Sequence, residues 1–152
     1  MVRKIKEKEG FTLIELIVVA SIISIFLMIA IPYYTKWKTK MSIEGDTKKI
    51  YGVLQMFRTK AFSEKKEYII KLSKNSIDVY DKNNRKVYSV KLNNEFDFNG
   101  SRKEVFIDTR GTFSGPSIYA KNYTVGAQYD CVSIDDIRIR LGKYTGGKCE
   151  AK

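Results

Sequence analysis

The chain opens polar and then turns apolar for one long stretch. Residues 1–10 are mostly charged, and Phe11 to Ile31 follow as 21 residues interrupted only by Thr12, Glu15, Ser21 and Ser24. At helical rise such a run spans about 30 Å, the thickness of a bilayer's hydrocarbon core. Tyr33, Tyr34 and Trp37 come next, with Lys36, Lys38 and Lys40 among and beyond them, the order of an interfacial aromatic belt. Pro32, in "AIPYY", lacks a backbone donor and crowds the preceding turn, so a helix passing through it is expected to kink or loosen. Past the proline, Ile43, Ile50, Leu54, Phe57 and Ala61 recur at helical spacing, with Lys48, Lys49, Arg58 and Lys60 mostly off that stripe. One helix from about Phe11 to Ser63 is predicted, its outer half packing on a globular part. Gly45 and Gly52 are its weakest points.

From Glu67 the period changes to two. "EYIIKLS", "SIDVYDK" and "KVYSVKL" read as strands separated by turns at Lys74-Asn75 and Asn83-Asn84. "EVFIDT", "SIYAK", "YDCVSI" and "IRIRL" are further candidates, and "RGTFSGPS" reads as a loop or tight turn. Strands following one helix predict an α+β fold, a long N-terminal transmembrane-plus-amphipathic helix packed on a C-terminal antiparallel β-sheet domain.

Composition then narrows the chemistry. Among 152 residues there is no histidine, which removes His-based triads, His general bases and His-ligated metals. Cys131 and Cys149 are too few for a Cys-rich zinc site and form no C-x-x-C pair. No phosphate-binding glycine loop or nucleophile elbow is present. A Ser–Lys hydrolase survives on composition alone, but little of an active site is visible. The expectation is a non-enzyme without metal or cofactor.

Glu15 is the anomaly. A charge inside an apolar helix costs roughly 2.5–3.5 kcal/mol even on lenient insertion scales, so it calls for a partner. A secretory signal peptide would have a shorter apolar stretch and an A-x-A-like cleavage site, whereas Ala30 has Met28 two positions before it. A plain single-pass anchor explains the length and the aromatic belt but not Glu15. A cut between Gly10 and Phe11 explains it best: the new α-amino group, largely cationic at neutral pH, supplies the missing counter-charge.

The stretch "GFTLIELIVV", with its basic leader and Pro32, resembles the prepilin cleavage and methylation signal of type IV pilins and of type II secretion pseudopilins. That resemblance implies cleavage after Gly10, N-methylation of Phe11, and subunit assembly through Phe11, Glu15 and Pro32. It divides the chain into a leader (1–10), a transmembrane helix half (11–31), an amphipathic helix half (32–66) and a β-rich head (67–152). The implied partners are other pilin or pseudopilin subunits, the prepilin peptidase/methyltransferase and an inner-membrane assembly platform. The implied location is the inner membrane before assembly and a periplasmic or extracellular filament afterwards. Basic residues flank both ends of the apolar run, so charge alone does not orient it.

"FIDTRGTFSGPSIY" followed by "YDCVSIDDIRIRL" and a late cysteine resembles the GspH/FimT branch of minor pilins and pseudopilins. Ile137 stands where that branch has the glycine of its Gly-Arg-x-Arg strand, so a different local turn is expected. In an exported domain Cys131 and Cys149 are expected to form a disulfide; in a cytoplasmic one they would be two buried thiols. Without the leader, 24 Lys and Arg face 15 Asp and Glu. Because some members of the branch bind DNA, Arg138 and Arg140, with Lys143 and Lys148 nearby, are candidate phosphate contacts. Against this, the basic excess concentrates in residues 36–91, with 15 basic and 6 acidic groups, and Asp135 and Asp136 abut the arginine pair.

Overall fold

The computed structural model describes residues 10–151, so the expected leader other than Gly10 lies outside the described residues. The chain divides into two compact units after Trp37. A single helix, α1 (Leu13–Glu64), begins in the first unit and ends in the second.

Among the described residues of the first unit α1 is the whole of the regular structure, long and apolar enough to cross a membrane. Its two serines are satisfied locally: the Ser21 hydroxyl donates to the Ile17 carbonyl at 2.8 Å and that of Ser24 to the Ala20 carbonyl at 2.8 Å. A hydroxyl that bonds its own helix can enter lipid without an orphaned donor. α1 is not interrupted at Pro32, and the Thr35 hydroxyl donates to the proline's carbonyl at 3.0 Å.

In the second unit, Lys38–Lys152, the helix buries the apolar stripe read from the sequence. Ile43, Ile50, Leu54, Phe57 and Ala61 are almost fully buried, and Val53 joins them. The head therefore begins inside the helix, well before residue 67, because these side chains share one core with the strands. Each large aliphatic side chain fully buried there contributes roughly 1.5–3 kcal/mol. The Phe57 ring meets Tyr68 edge-on at 5.0 Å and Tyr88 at 5.5 Å.

Among the described residues ten strands follow: β1 (Tyr68–Ser73), β2 (Ser76–Asp81), β3 (Lys86–Lys91), β4 (Phe96–Phe98), β5 (Glu104–Ile107), β6 (Phe113–Ser114), β7 (Ile118–Ala120), β8 (Cys131–Ile134), β9 (Ile139–Thr145) and β10 (Lys148–Ala151). They form two antiparallel sheets, ordered β3-β2-β1-β5-β6 and β10-β9-β8-β7-β4. Alternation governs both: Ile70, Ile77 and Val79 point to the core from the first sheet, and Phe96, Phe98, Ile118 and Val132 from the second. The sequence reading anticipated one sheet and missed β4, β6 and β10. "RGTFSGPS", read as loop, contains β6.

Two acids on α1 fasten loops to the helix. Asp46, fully buried, accepts from the Asn93 amide at 2.7 Å, the Asn94 amide at 2.9 Å and the Asn94 side chain at 2.8 Å, and pairs with Lys49 at 2.8 Å. Glu44 accepts from the Gln128 amide at 2.7 Å. Helix packing and loop closure thus depend on the same turn of α1.

Candidate functional site

The scissile bond expected between Gly10 and Phe11 lies in exposed, non-helical backbone just before α1. Thr12 is the N-cap. Its carbonyl accepts from the Leu16 amide at 3.2 Å, and its hydroxyl accepts from the Glu15 amide at 3.3 Å. Glu15 is thereby the third residue of the helix, and Thr-x-x-Glu has the spacing of a capping box. Its carboxylate also sits where the unpaired N–H groups of the first turn make the helix end positive. Glu15 therefore has a local electrostatic reason for its place in addition to any N-terminal ammonium. The sequence reading missed this, although Thr followed three residues later by Glu before an apolar run is a recognisable helix start.

Residues 5–31 match the family model described as the prokaryotic N-terminal methylation motif. That segment resembles the N-terminal signal of type IV pilins and pseudopilins. No curated protein and no solved structure matches the chain. A helix followed by antiparallel sheets is the pilin-like α+β arrangement. The motif implies a structural subunit rather than an enzyme, processed by a prepilin peptidase and assembled with other pilins.

In the head, Cys131 and Cys149 are joined by a disulfide with Cα atoms 5.9 Å apart. Cys131 lies on β8 and Cys149 on β10, with β9 between them. Such neighbours two strands apart are normally about 9–10 Å distant, given strand spacing near 4.7–4.9 Å. β10 instead folds over β9 at Gly142, where an added Cβ would overlap the Glu150 carbonyl oxygen and lie 3.1 Å from the Ala151 Cα. Glycine is needed there for close approach, not for its dihedral freedom. Tyr119 and Tyr144, stacked at 4.2 Å, share that face of the sheet, and Tyr123 meets Tyr144 edge-on at 5.0 Å.

The four candidate DNA-contacting residues do not form one surface. Arg138 precedes β9, in the turn that joins it to β8, where its amide and carbonyl pair with Asp135. Arg140 is on β9 and its guanidinium pairs with Asp135 at 3.1 Å. Lys143, three positions along the strand, alternates to the other face, and Lys148 lies on β10 opposite Thr145. Ile137 sits exposed in the turn between β8 and β9, outside the positive-φ region.

Several head carboxylates are held as anions by their surroundings. Burial alone would raise Asp46, but hydrogen bonds from Lys49, the Asn94 side chain and the Asn93 and Asn94 amides outweigh it and lower its pKa. Asp78, on β2, is buried to the same effect: burial is outweighed by the hydroxyls of Ser89 and Ser73, at 2.5 and 2.8 Å, and by Lys86 at 3.3 Å. Asp108 is lowered to about 2, first by the Thr112 amide and then by Arg110, in a tight turn closed by Gly111. None of these roles was visible in the sequence, because each partner is remote in the chain or depends on a loop's conformation.

Proposed function

We propose that this chain is a minor pilin or pseudopilin of a type IV filament machine. It enters the inner membrane through residues 11–31, is cut between Gly10 and Phe11, and is N-methylated on Phe11. It then packs helix against helix into a periplasmic or extracellular filament or its tip. The observation that carries this reading is the methylation motif matched over residues 5–31, set on a capped apolar helix with an exposed scissile bond. Glu15 has the central role in assembly. Among packed apolar stems an unpaired carboxylate is costly, and the Phe11 ammonium of a neighbouring subunit offsets that cost.

Mass spectrometry of the mature protein from cells with an active prepilin peptidase tests the reading. A terminus at Phe11 carrying one added methyl group is expected, and an intact Met1–Gly10 segment overturns it. Glu15→Leu is expected to be processed yet excluded from filaments; normal incorporation would remove the proposed basis of assembly.

A DNA-uptake role through Arg138, Arg140, Lys143 and Lys148 is the alternative, and it has weaker support. One of the two arginines is engaged by Asp135, and the lysines lie on other faces or strands. Loss of duplex binding at low salt in an Arg138→Ala/Arg140→Ala variant, with a reduced salt slope, would favour it.

A further inference from the structure

We propose that the solvent-facing side of α1 in the head docks against a different, acidic subunit, and that a second copy of this chain does not fit there. The proposal rests on the filament-subunit reading and identifies the neighbour that reading requires.

The surface is a stripe on the helix face opposite the core. Lys38, Met41, Gly45, Lys48, Gly52 and Met56 follow one another at intervals of three or four residues, and all six are exposed. Met41 and Met56 keep 45% and 42% of their surface in solvent on the face away from the core, and Phe62, further along α1, is exposed too. Nothing lies near the missing Cβ atoms of Gly45 and Gly52, so the stripe is flat and open between its two methionines.

Its charge has one sign. Between Lys38 and Lys60 the only carboxylates on α1 are Glu44 and Asp46, and both are buried and committed to the loops at Gln128 and Asn93–Asn94. Among the described residues Lys38 and Lys48 form no ion pair, Lys48 lying over the Tyr129 ring at 5.9 Å, while Lys49 is held by Asp46. The stripe therefore offers an apolar strip flanked by cations with no acid to balance them.

A second copy lacks the complementary surface. Residues 38–152 carry 23 Lys and Arg against 14 Asp and Glu, a net of +9. Their exposed and half-exposed acids are nearly all used internally: Glu64, Glu67, Asp81, Glu95, Asp97, Glu104, Asp108 and Asp135 each pair with a lysine or arginine of the same chain. Within residues 38–151, only Asp136 and Glu150 remain as solvent-facing carboxylates without an ion pair, and they belong to separate elements. Packing copies together would bring lysine-rich helix faces against heads with no acidic patch to receive them. Opposed like charges cost affinity and slow encounter, whereas complementary ones set partner and register. A subunit with Asp or Glu at helical spacing satisfies the stripe.

The test uses the full-length chain in its own cells, with a photo-crosslinking amino acid at Met56. The expected product joins it to a different pilin-like chain with a net negative head. Lys38→Glu with Lys48→Glu should lower the yield about tenfold, as reversal of two interfacial charges does. Carboxylate→Lys changes on the partner should restore it. Lys38→Gln with Lys48→Gln should give a smaller loss, which keeps the test valid if the reversal misfolds. Cross-linking to a second copy, no cross-link from the processed chain, or a yield indifferent to both lysine pairs overturns the proposal. The mature terminus is read in the same samples. An unprocessed chain that still captures the acidic partner leaves this interface standing and removes the pilin reading.

Discussion

Removing the Asp46 carboxylate should uncouple the β3–β4 loop from the helix. In Asp46→Ala the Asn93 and Asn94 amides, bonded at 2.7 and 2.9 Å, lose their common acceptor, as does the Asn94 side chain. Each stranded donor costs about 1–3 kcal/mol unless water reaches it. Asn93 is exposed and can be rehydrated, Asn94 less so, and Lys49 regains solvent at little cost. A loss of about 3–4 kcal/mol follows from about 2 kcal/mol for the Asn94 amide, about 1 kcal/mol for the rehydratable Asn93 amide and about 0.5–1 kcal/mol for the side-chain bond. Asp46→Asn keeps one oxygen for the amides and gives up only the charge, so about 1–2 kcal/mol is expected. Thermal unfolding of the full-length protein in detergent micelles, followed by the near-ultraviolet circular dichroism of its tyrosines, should rank wild type above Asn above Ala. The Ala variant should melt on the order of 10–20 °C lower. Hydrogen exchange gives the local readout: the Asn94 amide should lose protection ahead of the rest of the head. An Ala variant within about 0.5 kcal/mol of wild type, with that amide still protected, would refute the reasoning, since such a value belongs to an uninvolved surface site.

Three further outcomes are expected. Cys149→Ser should destabilise the head by about 3 kcal/mol, from the loop entropy of an 18-residue separation, and release β10 to proteolysis. Gly142→Ala should force β10 off β9, so that the disulfide becomes reducible by dithiothreitol under native conditions where the wild-type bond resists; an equal reduction rate would count against the close approach. Asp46, Asp78 and Asp108 all have folded-state pKa values below their ordinary value of 3.8. Their contribution is complete above that value and is lost as pH falls through the depressed ones. Urea midpoints should therefore be flat near neutrality and fall below about pH 4, and Asp46→Asn should be less acid-sensitive than wild type.

The helix was legible because its two signals are periodic and local. An unbroken apolar run predicts a stem, and the stripe from Ile43 to Ala61 needs only a 3.6-residue repeat to be recognised. The methylation motif was legible for a similar reason: Gly10, Phe11 and Glu15, which fall within it, sit at short spacing at the start of that run. The division into two sheets and the strands β4, β6 and β10 were not. β4 and β6 are three and two residues long, too short for alternation to register, and β10 is held by Gly142 and a disulfide rather than by a hydrophobic pattern. Glu44 and Asp46 looked like ordinary solvated charges on a helix. Their burial depends on partners 84 and 47 positions away, and no local pattern carries that information.

Among the described residues, the cap that starts α1 lies downstream of Gly10. Thr12 closes the first turn and Glu15 sits within it, so a cut before Phe11 would keep both. Trimming would add a new positive tip beside that cap: proteolysis here would act as an edit of charge next to a helix start that stays in the chain.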